Sequence, residues 1–145
     1  MPSPDYRKKL REARERKGWS EHEAAAQVQL SSSAYYDIEL CEDDLTTCYS
    51  LSEISKTCKA LDLHPHDLFC NEHLSPSTID EVIANIKKHC AQNQISISKF
   101  EDIVGWHVES YLTNPKTALE AWNLDCLKDV CSELQMNWQN IISGL

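Results

Sequence analysis

Two stretches of this chain can be laid over each other without a gap. Setting Leu10 on Ile86 puts Trp19 on Ile95, Ser20 on Ser96, Val28 on Val104, Leu30 on Trp106 and Tyr35 on Tyr111. Farther on, the second stretch is three residues shorter. There Leu51 falls on Leu124, Ile54 on Leu127, Cys58 on Cys131 and Leu61 on Leu134, and "HPHDLF" falls on "NWQNII". Identities are few, but apolar positions match in order. Such self-similarity is the mark of an internal duplication. It restricts the chain to folds that can be built as two like units, and 145 residues suit two small domains as well as one ordinary one.

The units read as helical. Only 3 Gly and 5 Pro occur, and no alternating strand pattern stands out, which together favour helices. In the first unit Ser3 and Pro4 suit a helix start, Tyr6, Leu10 and Ala13 follow at helical spacing, and Gly18 ends the run. Ser20 and Glu23 are spaced as a capping box for a second helix with Ala24, Ala25 and Val28 inward. Ser31 caps a third helix over about 32–39, with Tyr35 and Ile38 inward. "CEDDLTTCY" reads as a polar loop. Ser50 and Glu53 open a fourth helix striped by Leu51, Ile54, Cys58 and Leu61, and Pro65 opens a fifth. Residues 71–78 read as a linker, with Ser75 and Pro76 preceding a helix striped by Ile79, Val82, Ile83 and Ile86.

The segment "SEHEAAAQVQLSSSAYYDIEL" is thus two short helices joined by a tight turn. Together with "LREARERKGW" before it and "ALDLHPHDLF" after it, the first unit resembles the lambda-repressor-like, or Xre, helix-turn-helix family. Leu61, Leu63, Pro65, Leu68 and Phe69 match the family's closing pattern, and Ile38 with Glu39 matches the pair that ends its recognition helix. The likeness covers about residues 6–70, and the second unit joins it through the internal alignment. It implies an all-α fold of tandem five-helix lambda-repressor-like helix-turn-helix units, over residues 1–70 and 79–145. It also implies a third helix lying in the DNA major groove, with phosphates met at the start of the second. On that basis the DNA-facing residues are Glu21, Ser31, Ser32, Ser33 and Tyr36, with Arg7, Arg11 and Arg14 as a basic face on the first helix. That face has a plainer reading as a solvated helix surface. Gly105 stands where the family has glycine in the turn, whereas the first unit has Gln29.

Charge opposes that expectation. The net charge is −9, so the mean field repels polyanions. Between Lys17 and Lys56 there is no Lys or Arg, while Glu21, Glu23, Asp37, Glu39, Glu42, Asp43 and Asp44 all fall there. Phosphate contacts by Lys and Arg supply most non-specific DNA affinity. In the second unit "HVESYLTNP" makes a poor recognition helix, because Pro115 follows at once and Asn114 replaces the inward Ile. Two functions follow. One is a DNA-binding transcriptional regulator acting on duplex DNA as a homodimer. The other is an acidic protein-interaction module on a helix-turn-helix scaffold that no longer binds DNA.

Nothing points to an enzyme or a cofactor, since no nucleophile elbow, phosphate loop or His-Glu-x-x-His is present. Cys70, His73, His89 and Cys90 lack the spacing of a zinc finger, so no metal is expected. The seven cysteines are odd in number and form no Cys-x-x-Cys, and no apolar signal core or membrane span is evident. A cytoplasmic chain with reduced thiols is expected, Cys58 and Cys131 packing as small hydrophobes.

Overall fold

A computed structural model of the chain describes residues 5–70 and 75–145. Every regular element among them is helical. In order these are α1 (Tyr6–Arg16), α2 (Glu21–Gln27), α3 (Ser32–Leu40), α4 (Asp44–Cys48), α5 (Leu51–Ala60) and α6 (Pro65–Phe69). Then come α7 (Ile79–Asn93), α8 (Ile97–Val104), α9 (Ala118–Ala121), α10 (Leu124–Glu133) and α11 (Trp138–Ser143). Single 3-10 turns at Glu109–Tyr111 and Pro115–Thr117 lie between α8 and α9. None of these helices is long and apolar enough to cross a membrane.

Polar side chains set the helix starts. Ser20 with Glu23 and Ser50 with Glu53 form complete capping boxes. Ser31 caps α3, Ser96 caps α8, and His64 caps α6 ahead of Pro65. Asp5 caps α1 by accepting the Arg7 N–H at 3.0 Å, and a carboxylate suits that end of the helix dipole. Ser3 and Pro4, read from sequence as the start of α1, lie outside the described residues, as does the 71–74 part of the linker. Thr78 caps α7. The polar loop expected at 41–49 is corrected: it contains α4, because Leu45 is fully buried and draws one helical turn onto the core.

Backbone conformation repeats between the halves. The described residues with left-handed φ fall into three pairs: Gly18 with Gln94, Gln29 with Gly105, and Asp62 with Gln135. These are the pairs that the sequence register sets opposite one another. In the same register α5 and α10 begin together at Leu51 and Leu124 and end together at Ala60 and Glu133. The Leu63 N–H donates to the Cys58 carbonyl at 2.8 Å, and its counterpart, the Met136 N–H, donates to the Cys131 carbonyl at 2.9 Å. Only α3 lacks an α-helical counterpart. The 3-10 turns occupy that position, with Asn114 in place of Ile38 and Pro115 directly after it.

Both halves contribute to one continuous apolar core, which includes Leu10, Ile38, Leu51, Ile54, Leu68, Ile86, Phe100, Leu124, Leu127 and Ile142. Polar bonds cross between them. The Leu51 N–H donates to the Trp122 carbonyl at 2.9 Å, and the Asn123 amide donates to the Thr47 carbonyl at 3.0 Å. His66 Nδ1 lies 2.8 Å from Ser143 Oγ. The α2–α3 pair is held by a smaller cluster of its own, Ala24, Ala25 and Tyr35, edged by Trp19, Val28 and Leu30. Alanines at the contact let α2 approach α3 closely.

The left-handed turns give a direct test. A Cβ at Gly105 would meet nothing within 4 Å, so Gly105→Ala should cost only the backbone penalty, about 1 kcal/mol. Gln29→Gly should raise stability by a similar amount, less the entropy of the added glycine. Urea unfolding midpoints of the two variants should therefore move in opposite directions.

Candidate functional site

The surface that the sequence marks for function is the outer side of α3 and the ends of its neighbours. Its geometry starts underneath, at Arg14. This residue is buried on α1. Its Nε donates to Glu39 Oε2 at 2.8 Å and its Nη2 to Glu39 Oε1 at 3.2 Å, a two-pronged bond between α1 and α3. Its Nη1 donates to the Trp19 carbonyl at 2.8 Å, and its Nη2 also reaches Glu21 Oε1 at 3.3 Å. The side chains of Arg14 and Glu39 are 8% and 6% exposed. The hydrogen bonds to Glu39 hold the guanidinium even more firmly charged than usual. Beside them Tyr35 is fully buried, and burial, helped by Glu39, pushes its phenol far up.

The three arginines expected to form one basic face are therefore separated in role. Arg14 is internal. Arg7 is half-buried, pairs with Asp5 at 3.1 Å and donates to the Leu40 carbonyl at 2.9 Å. Arg11, between them on the same flank of α1, is exposed. Lys8 pairs with Glu12 at 3.9 Å. The two arginines that reach α3 do so at Glu39 and Leu40, its C-terminal end, not at residues 32–36.

The other expected residues sit at the outer surface. Ser31 is exposed, but its hydroxyl accepts the Ala34 N–H at 3.1 Å as the α3 cap. Ser32 Oγ lies 2.5 Å from His22 Nδ1. Ser33 is exposed. Glu21 opens α2 and its carboxylate is turned toward Arg14. Tyr36 is 50% exposed and Leu40, one helical turn on, is 55% exposed. With Ser33 and Asp37 they form one outward face of α3. Leu40 and Asp37 were missed as members of this face. Their spacing from Tyr36 and Ser33 held the signal, since residues three and four apart share a helix surface. Glu42 and Asp43, both exposed, follow its C-terminal end.

A cleft of about 480 Å³ adjoins the α3–α4 connection, lined among others by Tyr6, Arg7, Glu42, Phe69, Lys128 and Trp138. Lys128 Nζ sits 4.6 Å from the Trp138 ring centre, filling part of it with its own cation–π contact. Among the described residues no group of three or more His, Cys, Asp or Glu is placed to hold a metal ion. Cys70 and Cys90 are buried, and His73 lies outside the described residues. Cys58 and Cys131 are fully buried, and burial pushes both thiols up to about 12.

In the second half the position of α3 is organised by a carboxylate instead. Glu101 on α8 accepts the Val108 N–H at 2.7 Å and the Glu109 N–H at 3.1 Å, and lies 2.7 Å from His107 Nδ1. The Val108 bond leads in holding its pKa below the ordinary 4.5, with Glu109 and His107 adding to it. Tyr111, the partner of Tyr35 in register, is half-buried and meets Trp122 edge-on at 5.8 Å. No counterpart of the outward α3 face results.

Compared with family models, curated proteins and solved structures, the chain matches none.

Two predictions follow from the ion groups. Arg14→Ala leaves Glu39 buried without its partner and should destabilise the fold by about 3–5 kcal/mol, read as a lowered urea midpoint. Glu101→Gln should cost about 1–3 kcal/mol at neutral pH. A depressed carboxylate contributes fully above its unfolded pKa and loses that contribution as pH falls through its lowered value. The stability gap between wild type and Glu101→Gln should accordingly stay constant above pH 4.5 and shrink below it.

Proposed function

We propose that this chain is a protein-interaction module built as a tandem pair of lambda-repressor-like helix-turn-helix units. In this reading the first unit keeps the scaffold, and the outer face of α3 meets a protein instead of DNA. The paired left-handed turns and matched helix bounds support the tandem architecture. One observation carries the functional choice. The outward face of α3 is Ser33, Tyr36, Asp37 and Leu40, and the nearest buried guanidinium, Arg14, is committed to Glu39.

Groove binding by such a helix places phosphates on either side of it. Here Asp37 lies on the outward face itself, and Glu42 and Asp43 stand exposed just after α3. Each would repel the backbone that ordinarily supplies affinity. A half-exposed tyrosine and leucine one turn apart match a protein surface better, because such anchors gain by leaving water. The reading of the chain as a DNA-binding regulator keeps one specific support. Ser32, Ser33 and Tyr36 are outward on an accessible, well-capped α3, with Arg11 exposed on the flank of α1.

A salt-titrated anisotropy assay with mixed-sequence duplex DNA separates the two. The chain should show no saturable binding even at low salt. Replacing Asp37 and Asp43 by Lys should create weak binding that falls steeply as salt rises. Salt-sensitive DNA binding by the unaltered chain would overturn the interaction reading.

A further inference from the structure

We infer that the occupant of the α3 face is a second copy of this chain, packed about a two-fold axis that runs along α3. This rests on the protein-interaction reading above and names its partner.

The surface has an order across it. Glu39 is bonded to Arg14, which fixes the flank of α3 that faces α1. Asp37 lies two residues earlier, about 200° around the helix, and so stands on the opposite flank, exposed. Tyr36 and Leu40 form the crest between the flanks. On the α1 side, Arg7 and Arg14 both reach across to α3. Arg11 shares their flank, between them in sequence, and points to solvent. Crossing the surface therefore meets a cation at Arg11, an apolar crest at Tyr36 and Leu40, and an anion at Asp37.

Such an order is self-complementary for only one kind of two-fold. An axis perpendicular to α3 in the contact plane lays cation on cation. An axis along α3 exchanges the flanks, so Arg11 of each copy meets Asp37 of the other while the two crests pack together. Isologous contacts of this form need one surface that carries both partners of each pair, and this one does. The arrangement would also cover the two half-exposed apolar side chains of α3, and it pairs charges that a polyanion would find mismatched.

The test uses the full chain and charge reversal. Sedimentation equilibrium should show a monomer–dimer equilibrium that weakens with added salt. Arg11→Asp and Asp37→Arg, each alone, should raise the dissociation constant about tenfold or more, because each homodimer then sets two like charges together. Mixing the two variants should restore association, since both pairs in the mixed dimer are again opposite. Tyr36→Ala should weaken it comparably. Circular dichroism of each variant establishes that it is folded. A monomer at all concentrations, or single variants that mixing does not rescue, would overturn the second-copy inference. If that monomer also ignores duplex DNA, the protein-interaction reading survives with a different partner; if it binds DNA, both fall.

Discussion

The two-pronged bond between Arg14 and Glu39 is the interaction on which the first half turns. It joins α1 to α3, and through the Trp19 carbonyl and Glu21 it also fixes the approach to α2. A buried ion pair is not by itself a large source of stability, because desolvation offsets much of the attraction. Its value lies in direction. An arginine committed to four acceptors holds three helices at one geometry, and that geometry is what leaves α3 standing outward. The same commitment removes the cation from the surface. What looks in sequence like a basic helix beside a recognition helix is, in space, a basic residue turned inward under an acidic front.

The second half shows what happens when this device is missing. Cys90 stands where Arg14 does and is buried among apolar groups. Asn114 stands where Ile38 would anchor an inward face, and Pro115 denies the helix its next hydrogen bond. The chain still has to cross from α8 to α10. Glu101 gathers the Val108 and Glu109 N–H groups where the 3-10 turn begins, and Tyr111 packs against Trp122. The result closes the core and leaves no projecting helix. Two stretches with the same turns and nearly the same helix bounds thus present different surfaces, and the core that joins them draws from both.

Much of this was legible in residue order. Capping side chains announced the starts of α2, α3 and α5, because a Ser cap, joined at α2 and α5 by a Glu three positions on, satisfies a local backbone need that no distant contact can replace. The inward stripes of α1, α5 and α7 were equally plain. The register between halves was carried by apolar positions matching in order more than by residue identity, and the paired left-handed turns emerged only with the backbone. Two things were hidden. The α4 turn hangs on Leu45 alone inside an acidic segment, too little for a periodic signal. The fate of Arg14 was hidden because Arg7, Arg11 and Arg14 are alike in spacing and charge. Only the tertiary position of Glu39 decides which of them is buried.

That division bears on what likeness to a DNA-reading scaffold can mean. The residues that make the resemblance here, Ser20, Ala25, Leu30, Tyr35, Ile38 and Leu68, act on caps, on the α2–α3 contact and on the core. Those that would touch a ligand, Ser33, Tyr36, Asp37 and Leu40, lie on the other side of α3 and contribute little to either cluster. The two sets are nearly independent energetically, since one acts through caps and packing and the other is solvated. A chain can therefore keep every scaffold residue while its outward face changes sign. Here the inward set fixes how α2 and α3 meet, and the outward set places one carboxylate, Asp37, beside an apolar crest of Tyr36 and Leu40.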